Sequence, residues 1–495
     1  MKKYALALVV FLFLYISCSK NDDDGIQGPG TPSVSTQDFM WKAMNIWYFW
    51  QSDVENLADD RFATNEEYTT FLESEEDPAA FFNGQLRFGE DRFSFFNEDY
   101  KELTENLSGI SRSNGVEFGL FFAGDGSDNI FGYVRYIIAN SDASNKDISR
   151  GELFSGVDGQ TLTEGNYRDL LFGDNASYTL NMADIQDGNV VPNGKNVALT
   201  KQDGLVENPV FITEAFELNG RTIGYLMYNG FTNEFDENLN AAFGQLKSAG
   251  VTDLVLDFRY NSGGSVNSSR LLSSMVYGTN TNDVYIRQRW NDKLQGQFSE
   301  ENLVDFFADQ TSEGSPLNTL NLSEVYIITT NSSASASELV INGLNPYVNV
   351  IKVGDTTRGK NEFSLTLVDD PDRDGAPFVY SPSRENQINP DNQWAIQPLV
   401  GRNENSVGFS DYTAGFAPDI LLSEDLENLG VLGDPSEPLL ARAIEEITGI
   451  VGKREFRAKM PVKPFTDSKK QRPIGDNMIL DKPLNLSPAV FKGIN

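Results

Sequence analysis

NSSASASELV, residues 331–340, follows the apolar run VYIITT and leads into a second apolar run, so it reads as the turn from a buried strand into a helix. A serine at a helix start is most often a cap. Serines alternating with alanines ahead of an acid also describe a nucleophile turn, and a serine nucleophile needs a base. The chain of 495 residues contains no histidine, which excludes a Ser-His-Asp triad, a histidine-bearing zinc site and a Cys-His protease. Either these serines only cap a helix or another side chain takes the proton.

The next strand, VNVIKVGDTTRGK, runs out of the sheet to Lys360 after a loop whose Gly359 permits close approach. Burial disfavours the charged form of a lysine, so a desolvated Lys360 can serve as general base toward serine. Upstream, the strand LVLDFRY ends in NSGG, residues 261–264, and a helix follows. Glycines there let backbone amides face a ligand, and a helix N-terminus favours negative charge, which is how an oxyanion hole is built. A plain tight turn is the alternative reading of Gly263 and Gly264.

These turns lie in a region, 206–450, where strands such as RTIGYLMYNGF and TDLVLDFRY alternate with helical stretches such as ENLNAAFGQLKSAG. The alternation predicts an α/β domain with a largely buried sheet and its chemistry at strand ends. Residues 109–186 instead show short apolar runs broken by Gly, Asn and Asp, as in a compact β domain. Their order resembles a PDZ domain, a module that binds peptide termini by adding them as a strand. That resemblance puts peptide binding at Val116, Glu117, Phe118, Gly119 and Leu120. Residues 36–105 read as a small helical domain, capped by Ser35 or Thr36, with Phe39, Ala43, Ile46, Trp47 and Trp50 as a core stripe.

Taken together, DFRYNSGG, SASASE and TTRGK, with a PDZ-like module upstream, resemble the C-terminal processing (tail-specific) serine peptidases. The likeness runs from DRFSFF at 91–96 to GFAPDI at 415–420 and the closing helix PLLARAIEEITG. It implies a ClpP/crotonase-like α/β catalytic domain, a Ser-Lys dyad, polypeptide substrates and no cofactor or metal. In that pattern the nucleophile is the middle serine of SASASE and the lysine follows 25 positions later, which selects Ser335 and Lys360 (360 − 335 = 25). The oxyanion would be held by amides of Ala336 and of Gly263 or Gly264, with Glu338 supporting the turn. Two places depart from the pattern. The glycine after the lysine is Asn361, and the glutamine four positions beyond the lysine is Ser364, whose hydroxyl can still accept from the amine. A catalytically degenerate, peptide-binding lipoprotein is the second reading.

A formal charge of −33 argues against nucleic acid, whose affinity comes from phosphate neutralisation by Lys and Arg. The one cysteine, Cys18, excludes intrachain disulfides. It ends MKKYALALVVFLFLYISC, a basic start and a short apolar stretch that read as a lipoprotein signal, residues 1–17, with Cys18 as the lipidated residue. Residues 18–35 are a Gly-, Pro- and Asp-rich tether. The expected place is the bacterial cell envelope, lipid-anchored to the outer membrane. DPDRDG at 370–375 spells the start of a calcium loop, yet Ser381 stands where such a loop supplies its bidentate glutamate, so it reads as an exposed acidic turn. The stretch 453–495, basic against an acidic body, carries no readable function.

Overall fold

A computed structural model describes residues 34–450 except 125 and 279, and beyond them 463–472, 475–482, 484 and 486–491. The signal, Cys18 and the tether up to residue 33 lie outside the described residues. At the centre is a six-stranded sheet in the order Val210–Leu218, Arg221–Tyr228, Asp253–Asp257, Glu324–Thr329, Asn349–Gly354, Ile420–Leu421. Its first pair is an antiparallel hairpin and every later pairing is parallel. Strand alternation sends side chains to two different cores. Leu254 and Leu256 pack with Leu239 and Phe243 of helix Asp236–Ser248, Leu272 of helix Val266–Tyr277 and Leu339 of helix Ala336–Leu344. Val255, between them, packs with Leu440 and Ala443 of helix Pro438–Thr448 on the other face. With both faces covered, the strands read as near-continuous apolar runs. The expected α/β region is therefore present, and NSGG and SASASE both stand at carboxyl ends of parallel strands, where open α/β sheets place their ligands.

A β module precedes it. Its sheet runs in the order Lys463–Asp467, Val116–Phe122, Ile130–Ile137, Leu153–Val157, Ser177–Gln186, Asn189–Thr200, around a core of its own that includes Phe118, Phe154 and Leu180. The expected boundary at 186 cuts a long hairpin in two, because Asn189–Thr200 pairs antiparallel with Ser177–Gln186. The sequence shows polar residues there because most of the second strand is exposed. Gln202–Val206 then pairs with Ile110–Ser113 and closes the module.

The N-terminal helices do not form a separate core. Phe39, Ala43, Ile46 and Trp47 are buried in the cluster that holds Leu254 and Leu339, and Trp47 Nε1 donates to the carbonyl of Pro377. Helix Ser35–Trp47 begins after Val34, so neither Ser35 nor Thr36 is its cap. Trp50 stands beyond the helix, half-buried. The segment 91–96 enters a strand, Phe95–Asn97, paired with Ala395–Gln397. The acidic turn at 370–375 is not open to solvent throughout. Asp370 is buried and accepts two hydrogen bonds of 2.7 Å from the Arg384 guanidinium, which occupies the oxygens a cation would need.

Candidate active site

Ser335 directly precedes helix Ala336–Leu344 with φ 62° and ψ −113°, a left-handed conformation uncommon for a residue with a Cβ. It is fully buried, and its hydroxyl has no hydrogen-bond partner among the described residues. The strain is held by the surrounding turn. Ser333 Oγ donates to the Phe258 carbonyl at 2.7 Å, Ala334 N to the Asn261 carbonyl at 3.1 Å and Ser337 Oγ to the same carbonyl at 3.0 Å. The serine turn is thus fastened to the glycine turn of the neighbouring strand.

Glu338 fastens it to the lysine loop. One carboxylate oxygen accepts from Thr357 Oγ1 at 2.5 Å and Gly359 N at 2.7 Å, and the other from Ser335 N at 2.8 Å and Lys360 N at 2.9 Å. Burial pushes its carboxyl up to about 7 against the pull of these donors. The backbone that carries the serine and the backbone that carries the lysine are therefore held by one buried side chain. The sequence reading gave Glu338 a supporting role at the turn; the structure extends that role to the lysine.

Lys360 is fully buried, and burial lowers its ammonium from 10.5 to about 8 although Asp476, Glu362, Asp91 and Glu338 oppose the shift. Its Nζ lies 5.3 Å from the centre of the Phe93 ring and donates to the backbone carbonyl of Asp476 at 2.5 Å, not to Ser335. Phe93 belongs to the N-terminal segment, and its neighbour Arg92 donates to the Gly359 carbonyl at 2.5 Å. Neither residue was singled out from sequence. Ser364 does not orient the amine as expected. Its hydroxyl donates to the Met478 carbonyl at 3.2 Å and accepts from Gln397 Nε2 at 3.1 Å.

The glycine turn divides its work. Gly263 N donates to Asn261 Oδ1 at 2.9 Å and is committed, whereas Gly264 N donates 2.5 Å to the carbonyl of Asn477. Gly263 N is thus taken within its own turn, and Gly264 N by a carbonyl oxygen of a distant segment. Ala336 is the first residue of its helix, where backbone N–H groups have no partner within the helix. Gly263 serves by lacking a side chain. Its φ is 111°, and a Cβ there would stand 2.6 Å from Ser335 Cβ and 2.3 Å from the Asn477 oxygen. Gly263→Ala is accordingly expected to lower kcat on the order of 10²- to 10³-fold, the loss associated with a misplaced oxyanion donor, as measured by steady-state cleavage of a polypeptide. Unchanged kcat would show that this turn does not line the reacting centre.

Beneath the turn lies a buried charge network. Arg259, fully buried, pairs with Asp257 at 2.7 Å, with Glu437 at 2.7 Å and with Glu424 at 3.2 Å. Glu424 also accepts from Arg150 at 2.9 Å and from Tyr260 Oη at 2.6 Å. Burial raises the Glu424 carboxyl, but Arg150 and Arg259 outweigh it and hold it at about 2.

The peptide-binding residues expected in the module, Val116 to Leu120, are all buried in strand Val116–Phe122. That strand is not an open edge, because it pairs antiparallel with Lys463–Asp467 of the same chain. Among the described residues, no group of His, Cys, Asp or Glu is arranged to hold a metal ion, and no helix is long and apolar enough to cross a membrane.

The model of peptidase family S41 matches residues 222–394, and that of the peptidase S41 N-terminal domain matches 35–95. A candidate S41 protease from Bacteroides fragilis superposes with a TM-score of 0.63 at 25% identity, covering 83% of this chain and 97% of its own. The photosystem II D1 C-terminal processing protease gives 0.47 at 17% identity, over 82% and 97%. Mature CPAF complexed with lactacystin gives 0.42 at 12%, over 84% and 97%. No curated protein matches the chain significantly.

Proposed function

The chain belongs to peptidase family S41 and is a serine peptidase by family and fold, and from that premise we propose that it cuts polypeptides with Ser335 as nucleophile and Lys360 as general base. The observation that carries the assignment is the shared carboxylate of Glu338, which holds the strained serine and the buried lysine in one unit. Neutral Lys360 takes the proton from Ser335 Oγ as that oxygen attacks the scissile carbonyl. Amides of Gly264 and Ala336 receive the oxyanion. The C–N bond breaks as the lysine returns its proton to the leaving amine, and water then hydrolyses the acyl-enzyme with the same lysine as base. The α/β core is read as ClpP/crotonase-like and the module 110–206 as a PDZ-like recogniser of substrate termini.

Incubating the protein and a Ser335→Ala control with an unstructured polypeptide, and mapping cuts by mass spectrometry, tests the reading. Cuts by the parent alone are expected; an intact polypeptide with both would leave a binding protein. Slower cutting of the same polypeptide amidated at its terminus is the outcome that favours terminus recognition, and equal rates exclude it.

The lysine sets the pH dependence. Only the neutral amine accepts a proton, so with its pKa at about 8 the rate should rise with pH through that value and level above it. At pH 7 about a tenth of the sites are then competent. A rate independent of pH between 7 and 9 would remove Lys360 as the base.

Residues 1–18 support a lipid anchor at Cys18 in a bacterial envelope. Cys18→Ser should move the protein out of the membrane fraction, and an unchanged fraction would exclude lipidation there as the cause.

A further inference from the structure

Residues 463–472 and 475–482, which carried no function as sequence, run along the β module and through the candidate catalytic site. Lys463–Asp467 adds to strand Val116–Phe122 antiparallel, with Asp467 opposite Gly119. Asp467, buried, pairs with Arg135 at 3.3 Å and accepts from Ser332 Oγ of the nucleophile loop at 3.0 Å. Ser468 Oγ donates to Glu117 at 2.6 Å, Lys469 Nζ donates to the Asn229 carbonyl at 2.6 Å, and Arg472 pairs with Glu117. Further on, Met478–Ile479 pairs parallel with Gly264–Ser265, Leu480 N donates to the Ser364 carbonyl at 3.0 Å and Asp481 accepts from Ser265 Oγ at 2.5 Å. Met478 is fully buried and Asn477 is 1% exposed. Buried charges are tolerated only when paired, and these are paired with groups of the module and the cleft, as in a built interface.

The catalytic groups are what the segment covers. The Asn477 carbonyl takes the Gly264 amide and the Asp476 carbonyl takes Lys360 Nζ. The Asn477 oxygen and Ser335 Oγ lie 2.3 and 3.0 Å from one point, the position of a Cβ on Gly263. The pose has a carbonyl at the oxyanion amide, yet the base is engaged by the preceding carbonyl and the serine hydroxyl has no partner. Asp476, at φ 55°, turns the chain just before that carbonyl, so the nucleophile faces an occupant without being activated toward it.

We propose that the strand edge Val116–Phe122 and the Ser335 cleft form one continuous binding track for an extended polypeptide with an apolar residue after the carbonyl at Gly264, and that residues 463–482 are its resident, uncut inhibitor. This rests on the peptidase reading above. A tethered ligand acts at an effective concentration of about millimolar, so a segment that binds in trans with a dissociation constant of 10–100 µM would slow the full chain on the order of 10- to 100-fold.

The test compares the full chain with Met478→Lys, which places a charge in a fully buried site of the segment, and with a chain ending at residue 450. Because Met478 and Leu480 belong to the main core, the shortened chain can fail to fold, and Met478→Lys keeps the rest of the segment. For whichever variant keeps a cooperative unfolding transition, kcat/KM toward an unstructured polypeptide should rise at least about 10-fold. A synthetic peptide of residues 463–482 should reverse that gain by raising KM without changing kcat, and the mass of the full chain should stay intact. Equal kcat/KM in the full chain and the folded variants overturns the proposal. So does loss of residues 478–495 from the full chain but not from Ser335→Ala, since a segment that is cut is a substrate. If no protein cuts the polypeptide, the peptidase reading fails. Calorimetry of the peptide on Met478→Lys combined with Ser335→Ala then decides occupancy alone, binding upholding the track and its absence overturning it.

Discussion

Lys360→Ala is expected to lower kcat on the order of 10³-fold and Ser335→Ala by 10⁴-fold or more, with the double variant no worse than Ser335→Ala alone. Both side chains are buried and both backbone amides end on Glu338, so neither truncation removes a hydrogen bond that holds the turn. The loss should appear in kcat with thermal unfolding nearly unchanged. Removing a buried lysine even relieves a desolvation cost. The non-additivity is the informative part, because groups that act on one proton are lost together. A Lys360→Ala protein with full activity, or a double variant much slower than either single one, would mean that another group takes the serine proton.

Arg259→Met should destabilise the fold by about 3–5 kcal/mol, since it leaves Asp257 and Glu437 as uncompensated buried carboxylates. The effect should appear as a lower denaturant midpoint at constant slope. Because Arg259 stands two residues before Asn261, whose carbonyl receives Ala334 N and Ser337 Oγ, activity should fall along with stability. Replacing Asp257 and Glu437 by Asn and Gln in the same chain should recover part of the loss, as the unpaired charges would then be gone. A midpoint unchanged by Arg259→Met would mean that the network is solvated and does not hold the turn.

The turns proposed as catalytic were legible because each is local: an apolar strand, a short run of small residues, and a helix. SASASE, NSGG and TTRGK needed no long-range knowledge to be located, and the absence of histidine narrowed what could act as base. What sequence did not disclose depends on contacts between distant segments. Phe93 and Arg92 meet the lysine loop across more than 260 positions, and nothing in DRFSFF marks that reach. Gly263 and Gly264 look alike in the sequence, and only folded contacts separate them: the Asn261 side chain takes the first amide and the Asn477 carbonyl takes the second. The hairpin past residue 186 was missed because its second strand is mostly exposed and lacks an alternating pattern. The segment 463–482 was opaque for a related reason. It is held largely through strand addition and charge pairing, and its packed apolar residues, Phe465 against Phe122 and Tyr167 and Met478 and Leu480 in the main core, are too few and too scattered to make a periodic face.

The most direct test of the account is a fluorophosphonate label, which reacts with an activated serine whether or not a natural substrate is known. On Met478→Lys, with the cleft opened, phosphonylation should map by peptide mass to Ser335 alone, quicken with pH through about 8 and fall by orders of magnitude in Lys360→Ala. Label on another serine, or labelling of Ser335 that is undiminished without Lys360, would contradict it.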